Sequence, residues 1–378
     1  MTAATPSTFA ASTFRPRHLT LPGLVARGVA WLALGIVLIL PFNTIDFAQS
    51  ASLAAIYAIT GLSLNIIIGY TGQLSLGHQG FLGIGALVAG NLVANEKLPF
   101  LVGLAGGAAV GALSALVLGM VALRITGLYL SLVTLVFGLA VASSLFQLGR
   151  LTRNGSGLLT NRPSLVQSNG RYYLLCLAVF LLVFYLDVCL TRSKTGRALL
   201  ALKENERVAE AFGISVTLYK LIAFGLAGAI VGLAGGLYVF QVQSFSGAAF
   251  EGNTGLDLAL LFVVMVVVGG LGNRVGVAIG GVFFALLSYL LDKLFLWHPV
   301  MSWAKDKPIL DGYYGPNRGA LAGLIGALLL LQTLIFNPGG IGQAVAPIQR
   351  WLKGKPFSLH DPDGDSGLAA VEGSSVRA

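Results

Sequence analysis

Apolar residues run through the sequence in blocks of near membrane length, separated by short polar or basic connections. A helix that crosses the hydrocarbon core needs about 20 mostly apolar residues, and on that rule the pattern predicts about ten spans. They fall near residues 25–42, 48–69, 74–94, 99–121, 126–147, 172–190, 217–240, 254–270, 275–296 and 319–336. The last is the plainest, with Leu324, Leu328, Leu329, Leu330, Leu331 and Leu334. The spans at 74–94 and 275–296 are rich in glycine, and either could be broken or re-entrant. Irregular backbone at membrane depth survives only against protein or a watered cavity.

One connection between spans carries a helical period of its own. Ala198, Ala201, Leu202, Val208, Ala209 and Phe212 recur on one face, with Lys203, Glu204, Glu206, Arg207 and Glu210 around the rest. Gly213 supplies a C-terminal stop. The spacing predicts a single amphipathic helix of about four turns over 198–212. Its apolar face suits either lipid headgroups or a groove on a cytoplasmic protein, and the mixed charges favour the protein.

Composition removes the alternatives to a membrane protein. The chain is 56% hydrophobic and 10% charged, whereas soluble domains carry about 25% charged residues. Disordered chains lack this much apolar content, and the 50 glycines follow no collagen period. The expected fold class is therefore all-α, a polytopic membrane helix bundle. A cytoplasmic arm occupies 1–24, the transmembrane domain 25–345, and a polar, disordered cytoplasmic tail 346–378. The first apolar block lacks a clear small-residue cleavage site and reads as a retained helix.

The net charge of +9 does not signal nucleic acid here, because the basic residues lie between apolar blocks, where lipid headgroups and the positive-inside rule account for them. With the N-terminus inside, fifteen of the 24 basic residues are cytoplasmic and nine are outside. The segments 148–171 and 297–318 then face outward. Gly103, Gly107 and Gly111 repeat at four, as do Gly228, Gly232 and Gly236, and Gly272, Gly276 and Gly280. Such stripes let helices approach closely within a bundle. The Gly-rich junctions Gly69–Gly72 and Gly269–Gly272 fall on the same side of the membrane.

Catalytic and metal chemistry find no footing. The sole Gly-Lys pair, Gly354-Lys355, precedes Pro356, so there is no Walker phosphate loop; H-E-x-x-H, C-x-x-C and G-x-S-x-G are also missing. The chain reads as no enzyme and as binding no cofactor or metal. Cys176 and Cys189 lie about 20 Å apart along one helix and cannot bridge there. Asp361, Asp363, Asp365 and Glu372 have calcium-loop spacing, but Ser366 stands where that loop needs glycine. Asp187 and Asp257 fall near span ends and read as interfacial.

Polar side chains crowd one glycine-rich run, Gly61–Gly85, which holds Ser63, Asn65, Thr71, Gln73, Ser75, His78 and Gln79. They either satisfy freed backbone groups or meet a substrate. Gln73, Ser75, His78 and Gln79 are the candidates for a translocation path, since neutral dipoles can replace part of a zwitterion's water without holding it tightly.

That run, the segment Gly196–Gly213 with Tyr219-Lys220-Leu221, and the stretch Val268–Arg274 closely resemble the M-type permease subunit of bacterial branched-chain amino-acid ABC importers. Gly127–Leu130 and Asn337–Ile341 fit the same pattern, and the resemblance covers residues 25–345. It implies a bacterial inner-membrane subunit with both termini cytoplasmic. The implied partners are an H-type permease, two cytoplasmic ATPases that use the ATP, a periplasmic substrate-binding protein and lipid. The amphipathic segment becomes the coupling helix, with Gly196, Leu202, Glu206, Ala209, Glu210, Phe212 and Gly213 at the ATPase contact. Leucine, isoleucine and valine are the implied cargo. Urea and short-chain amide permeases of the same family form an alternative, and an autonomous secondary transporter is another. In this frame the outward loop 297–318, with Trp297, Trp303, Tyr313 and Tyr314, helps seat the binding protein.

Overall fold

The computed structural model describes residues 45–122, 125, 127–148, 158–245, 257–296, 328, 332 and 340–352. The spans expected near 25–42 and 319–336, Leu328 and Gln332 apart, lie outside these residues, as do loop 297–318 and the acidic motif of the tail.

Every span expected between residues 48 and 296 is found as a helix. In chain order these are α1 (Ile45–Thr71), α2 (His78–Ala94), α3 (Phe100–Ala122), α4 (Leu128–Ser144) and α5 (Asn169–Arg192). After them come α6 (Lys194–Glu204), α7 (Glu206–Ala211), α8 (Val216–Val242), α9 (Asp257–Gly269), α10 (Arg274–Leu296) and α11 (Gly340–Leu352). Among the described residues, 5 helices are long and apolar enough to cross a membrane, namely those of α1, α3, α4, α5 and α8, while α2, α9 and α10 contribute shorter apolar stretches. The protein is a multi-pass helical membrane protein. Extended structure among the described residues is limited to an antiparallel pair, β1 (Leu158–Leu159) with β2 (Ser244–Phe245).

Helix α1 stands at the centre, and 89% of its span is buried inside the protein. It touches α5, α8 and α10, while α8 also packs on α2 and α3. Hydroxyls on α1 return to the carbonyls four residues back: Ser52 to Ala48, Thr60 to Ile56 and Thr71 to Ile67. Their polar groups are thus met inside the helix that carries them.

The glycine stripes serve contact within the chain. A Cβ on Gly111 would stand 2.5 Å from the Gly228 carbonyl oxygen and 2.8 Å from the Gly232 Cα, so α3 and α8 meet backbone to backbone. The stripe at Gly276 and Gly280 lies likewise against Gly269 of α9. The Gly-rich junctions share one end of the bundle, since a Cβ on Gly69 would be 2.8 Å from the Gly272 nitrogen. At the other end Arg162 holds the termini of α8 and α5. Its Nε donates to the Phe240 carbonyl at 2.9 Å, and its guanidinium lies 4.3 Å from the Tyr172 ring centroid. Burial pulls the Arg162 pKa below the usual arginine value.

The structure corrects the amphipathic helix and the tail and adds detail to two further expectations. The amphipathic segment is not one helix, because Asn205 is extended (φ −161°, ψ 110°) and divides α6 from α7. Its side chain instead caps α7, accepting from Arg207 N at 3.0 Å and Val208 N at 3.2 Å. The span expected at 74–94 is helical only from His78, residues 72–77 being irregular, whereas α10 is continuous. Asp187, one turn from the end of α5, is buried inside the protein at 1% exposure. Finally, α11 carries helix past residue 345 as far as Leu352, into what was expected to be a disordered tail.

Candidate functional site: the loop 72–77 and the coupling segment

Helix α1 ends in a left-handed glycine, Gly72 (φ +71°), which turns the chain into the irregular loop 72–77. Gln73 N bonds back to the Ile67 carbonyl, and Leu76 N donates to Thr134 Oγ1 of α4 at 3.0 Å. The loop delivers His78 to the start of α2, where two serines hold its ring. Ser63 Oγ lies 3.3 Å from Nε2 and Ser75 Oγ lies 3.4 Å from Nδ1. Because the Ser63 hydroxyl donates to the Ala227 carbonyl at 2.7 Å, Nε2 must carry the ring hydrogen toward Ser63. A neutral imidazole then accepts from Ser75 at Nδ1. That tautomer is assigned from the bonding pattern.

All four candidate path residues are buried within this chain, but they do not form one lining. Ser75 and His78 bond to each other and face the α1–α8 contact. Gln79 lies beside α4, where a Cβ on Gly138 would come 2.9 Å from its Nε2. Gln73 is apart from them. It borders a cleft of 270 Å³ with Leu74, Gly127, Leu128, Glu206 and Lys220, and its buried Oε1 has no hydrogen-bond partner.

The connection between α5 and α8 is built to stay in place. Ser193 caps α6 by accepting from Gly196 N at 3.1 Å and donates its own hydroxyl to the Leu190 carbonyl at 2.6 Å. Gly196 is required by contact, since a Cβ there would lie 2.7 Å from Thr191 Cα. Gly213, by contrast, has open space and is required by its φ of +81°. Glu206 of α7 pairs with the buried Lys220 of α8 at 2.7 Å.

Leu202 and Ala209, expected on a face toward a partner, are turned inward and are 1% and 3% exposed. The reason is the break at Asn205, which lets each short helix lay its apolar side on this chain's own bundle: α6 on α1, α5 and α8, and α7 on α8. Gly196 is buried as well. What remains outside is Phe212, 83% exposed, with Val208, Glu210, Gly213 and part of Glu206.

A third group sits where α1, α5 and α10 meet. Tyr70 donates to Asp187 Oδ2 at 2.9 Å, and Arg274 Nε lies 3.4 Å from the same oxygen. Arg274 Nη2 also donates to Thr191 Oγ1 at 2.7 Å. Asn65 Oδ1 accepts from Gly272 N at 2.9 Å. Asn273 caps α10, accepting from Val275 N and Gly276 N, and donates to the Gly342 carbonyl of α11.

The model of the family described as branched-chain amino acid transport system / permease component matches residues 46–305. The chain belongs to this permease family. It is 30% identical over 353 residues to the high-affinity branched-chain amino acid transport system permease protein LivM of Salmonella typhimurium, covering 81% of this chain and 79% of the relative. LivM of Escherichia coli is 29% identical over the same shares. The ribose import permease protein RbsC of Escherichia coli is 28% identical over 268 residues, 67% of this chain and 78% of that one. No solved structure matches the permease.

Sequence reasoning missed the Asp187–Arg274 contact in this permease. A usable signal existed, because Arg274 opens one apolar helix and Asp187 closes another on the side shared by the glycine junctions. Charges so placed call for each other.

Proposed function

We propose that this permease is one transmembrane subunit of an ATP-driven importer for leucine, isoleucine and valine. It works with a second, H-type permease, two cytoplasmic ATPases and a periplasmic binding protein. The observation that carries the reading is the connection 193–215. It is capped, ion-paired and packed on its own bundle along its inner side, yet it presents Phe212 and Val208 to the outside. An apolar knob on a braced polar segment is what a soluble partner can grip, and large apolar residues left bare in a polar surround mark such contacts. In this reading Glu206, Glu210, Phe212 and Gly213 meet the ATPase, while Gly196, Leu202 and Ala209 set the height and angle at which they do so. ATP is consumed by those partners.

The architecture proposed with it has about ten spans, a domain over 25–345 and both termini in the cytoplasm, the orientation that keeps the basic segment 192–216 inside. Loop 297–318 serves the binding protein. Substrate passes beside loop 72–77, with Gln73 at the inner mouth and Ser75, His78 and Gln79 deeper.

The test is uptake by the complete complex in proteoliposomes, with and without ATP, using labelled leucine, isoleucine, valine and urea. ATP-dependent uptake of the three amino acids is expected. Uptake of urea alone would move the permease to the amide-transporting branch, and uptake without ATP would make it a secondary transporter. Cysteines at 73, 75, 78 and 79 should react with small thiol reagents in a nucleotide-dependent way, whereas four unreactive positions would make them packing residues.

A further inference from the structure

The corner between α5 and α6 gathers a buried carboxylate, a guanidinium and two hydroxyls, and Asp187 Oδ1 has no hydrogen-bond partner there. Arg274 opens α10 and reaches two groups of α5 at once, Asp187 Oδ2 at 3.4 Å and Thr191 Oγ1 at 2.7 Å. Tyr70, at the end of α1, donates to the same Asp187 oxygen at 2.9 Å. Thr191 is followed directly by Arg192 and Ser193, the residue that caps α6. On the far side of the corner Lys203 of α6 lies over both glycine junctions. Its Cγ is 3.4 Å from the place a Cβ would take on Gly72, and its Nζ is 3.9 Å from the corresponding place on Gly272. The ends of α1, α5 and α10 are therefore joined through one guanidinium and one carboxylate, and α6 follows α5 directly at Ser193.

Stability alone explains this poorly. A buried ion pair holds a protein little better than apolar residues of the same volume, because both charges lose their water. What a guanidinium adds is direction, since its planar fork holds the Thr191 hydroxyl by one N–H while its charge stays beside Asp187, a combination that neither a lysine nor a leucine offers. A push on Phe212 travels through α7 into α6, which meets α1 directly and is linked to α10 through this corner. We propose that Arg274 is a positioning residue that locks the α5–α6 corner to the ends of α1 and α10 through Asp187 and Thr191, so that displacement of the coupling segment moves these helices as one body. This rests on the importer reading above.

The test uses the whole complex in proteoliposomes and reads four quantities: co-purification of the ATPases, thermal midpoint, ATPase rate, and substrate taken up per ATP hydrolysed. The variant Asp187→Leu/Arg274→Met removes both charges together, and Thr191→Val removes the bond from Arg274, with the hydroxyl's own bonds to the Asp187 and Val188 carbonyls inside α5, while leaving the ion pair. The double variant is expected to keep its ATPases and its thermal midpoint while uptake per ATP falls about tenfold, with a drop of about fivefold for Thr191→Val, within the usual range of coupling between sites. Arg274→Lys keeps the charge but not the fork and should fall between wild type and the double variant. A wild-type ratio of uptake to ATP in the double variant would reduce the cluster to a structural contact and overturn the proposal. Should the double variant fail to assemble, Thr191→Val decides in the same two directions. If the wild-type complex shows no ATP-dependent uptake, the importer reading falls and this proposal with it, a result distinct from normal uptake in every variant.

Discussion

The α3–α8 seam and the α5–α6 corner solve the same problem in opposite ways. Between helices in lipid there is no hydrophobic drive, because the surrounding chains are as apolar as the protein. The seam answers by removing side chains: Gly111, Gly228 and Gly232 bring backbones into contact, and its strength is dispersion at short range. The corner answers with directed bonds among Tyr70, Asp187, Thr191 and Arg274. A steric seam has one arrangement and resists any other. A polar corner fixes direction as well as distance, so that the helices it joins keep one relative orientation.

Breaking the corner on one side only should have the largest effect on stability. Arg274→Met alone leaves the carboxylate of Asp187 buried without its cation, at a cost of about 3–5 kcal/mol. Adding Asp187→Leu should recover most of that loss in a thermal denaturation series followed by size-exclusion chromatography. The seam should break slightly less and without remedy. In Gly232→Leu the new side chain meets the backbone of Gly107 and Gly111, an overpacking worth about 3 kcal/mol. Backbone cannot be trimmed by a second substitution, so trimming Leu104 or Ala115 to glycine should not rescue it.

Two smaller effects sharpen the contrast. Asn205→Ala removes the cap on α7 and should cost about 1 kcal/mol, confined to that short helix. Hydrogen exchange should then quicken at Val208–Phe212 and nowhere in the seam. Phe212→Ala should leave the permease's own stability within about 0.5 kcal/mol of wild type, as expected for an exposed site, while reducing co-purification of the ATPases. Unchanged ATPase retention in that variant would argue that the coupling segment lies on lipid.

Much of this was legible in the sequence, for reasons that differ by element. Span positions from 48 to 296 were legible because a helix in lipid must satisfy its own backbone and be apolar for its full length. The glycine stripes were legible because their spacing of four admits one face, except that Gly272 (φ +82°) lies in the turn before α10 and outside the stripe of Gly276 and Gly280. The orientation of segment 193–215 was not. Periodicity put Leu202 and Ala209 on an apolar side, but it could not tell that this side faces the chain's own bundle, nor that Asn205 would spend its side chain on capping and so divide the helix. The partnership of Asp187 with Arg274 spans many residues and leaves no periodic trace. For the path candidates, the sequence showed polar groups in a glycine-rich turn. Only coordinates could separate Gln73, beside a cleft, from Ser75 and His78, which bond to each other.

The central position of α1 also bears on how the permease is made. This helix is synthesised before α5, α8 and α10, the elements that later enclose it. Until they arrive, Ser63 lacks the Ala227 carbonyl and Asn65 lacks the Gly272 amide that complete their bonding. The growing chain therefore carries α1 with these bonds unmade until α8 and the junction before α10 have been synthesised. A chain truncated after α5 should be degraded faster than one truncated after α10, although both contain the whole of α1.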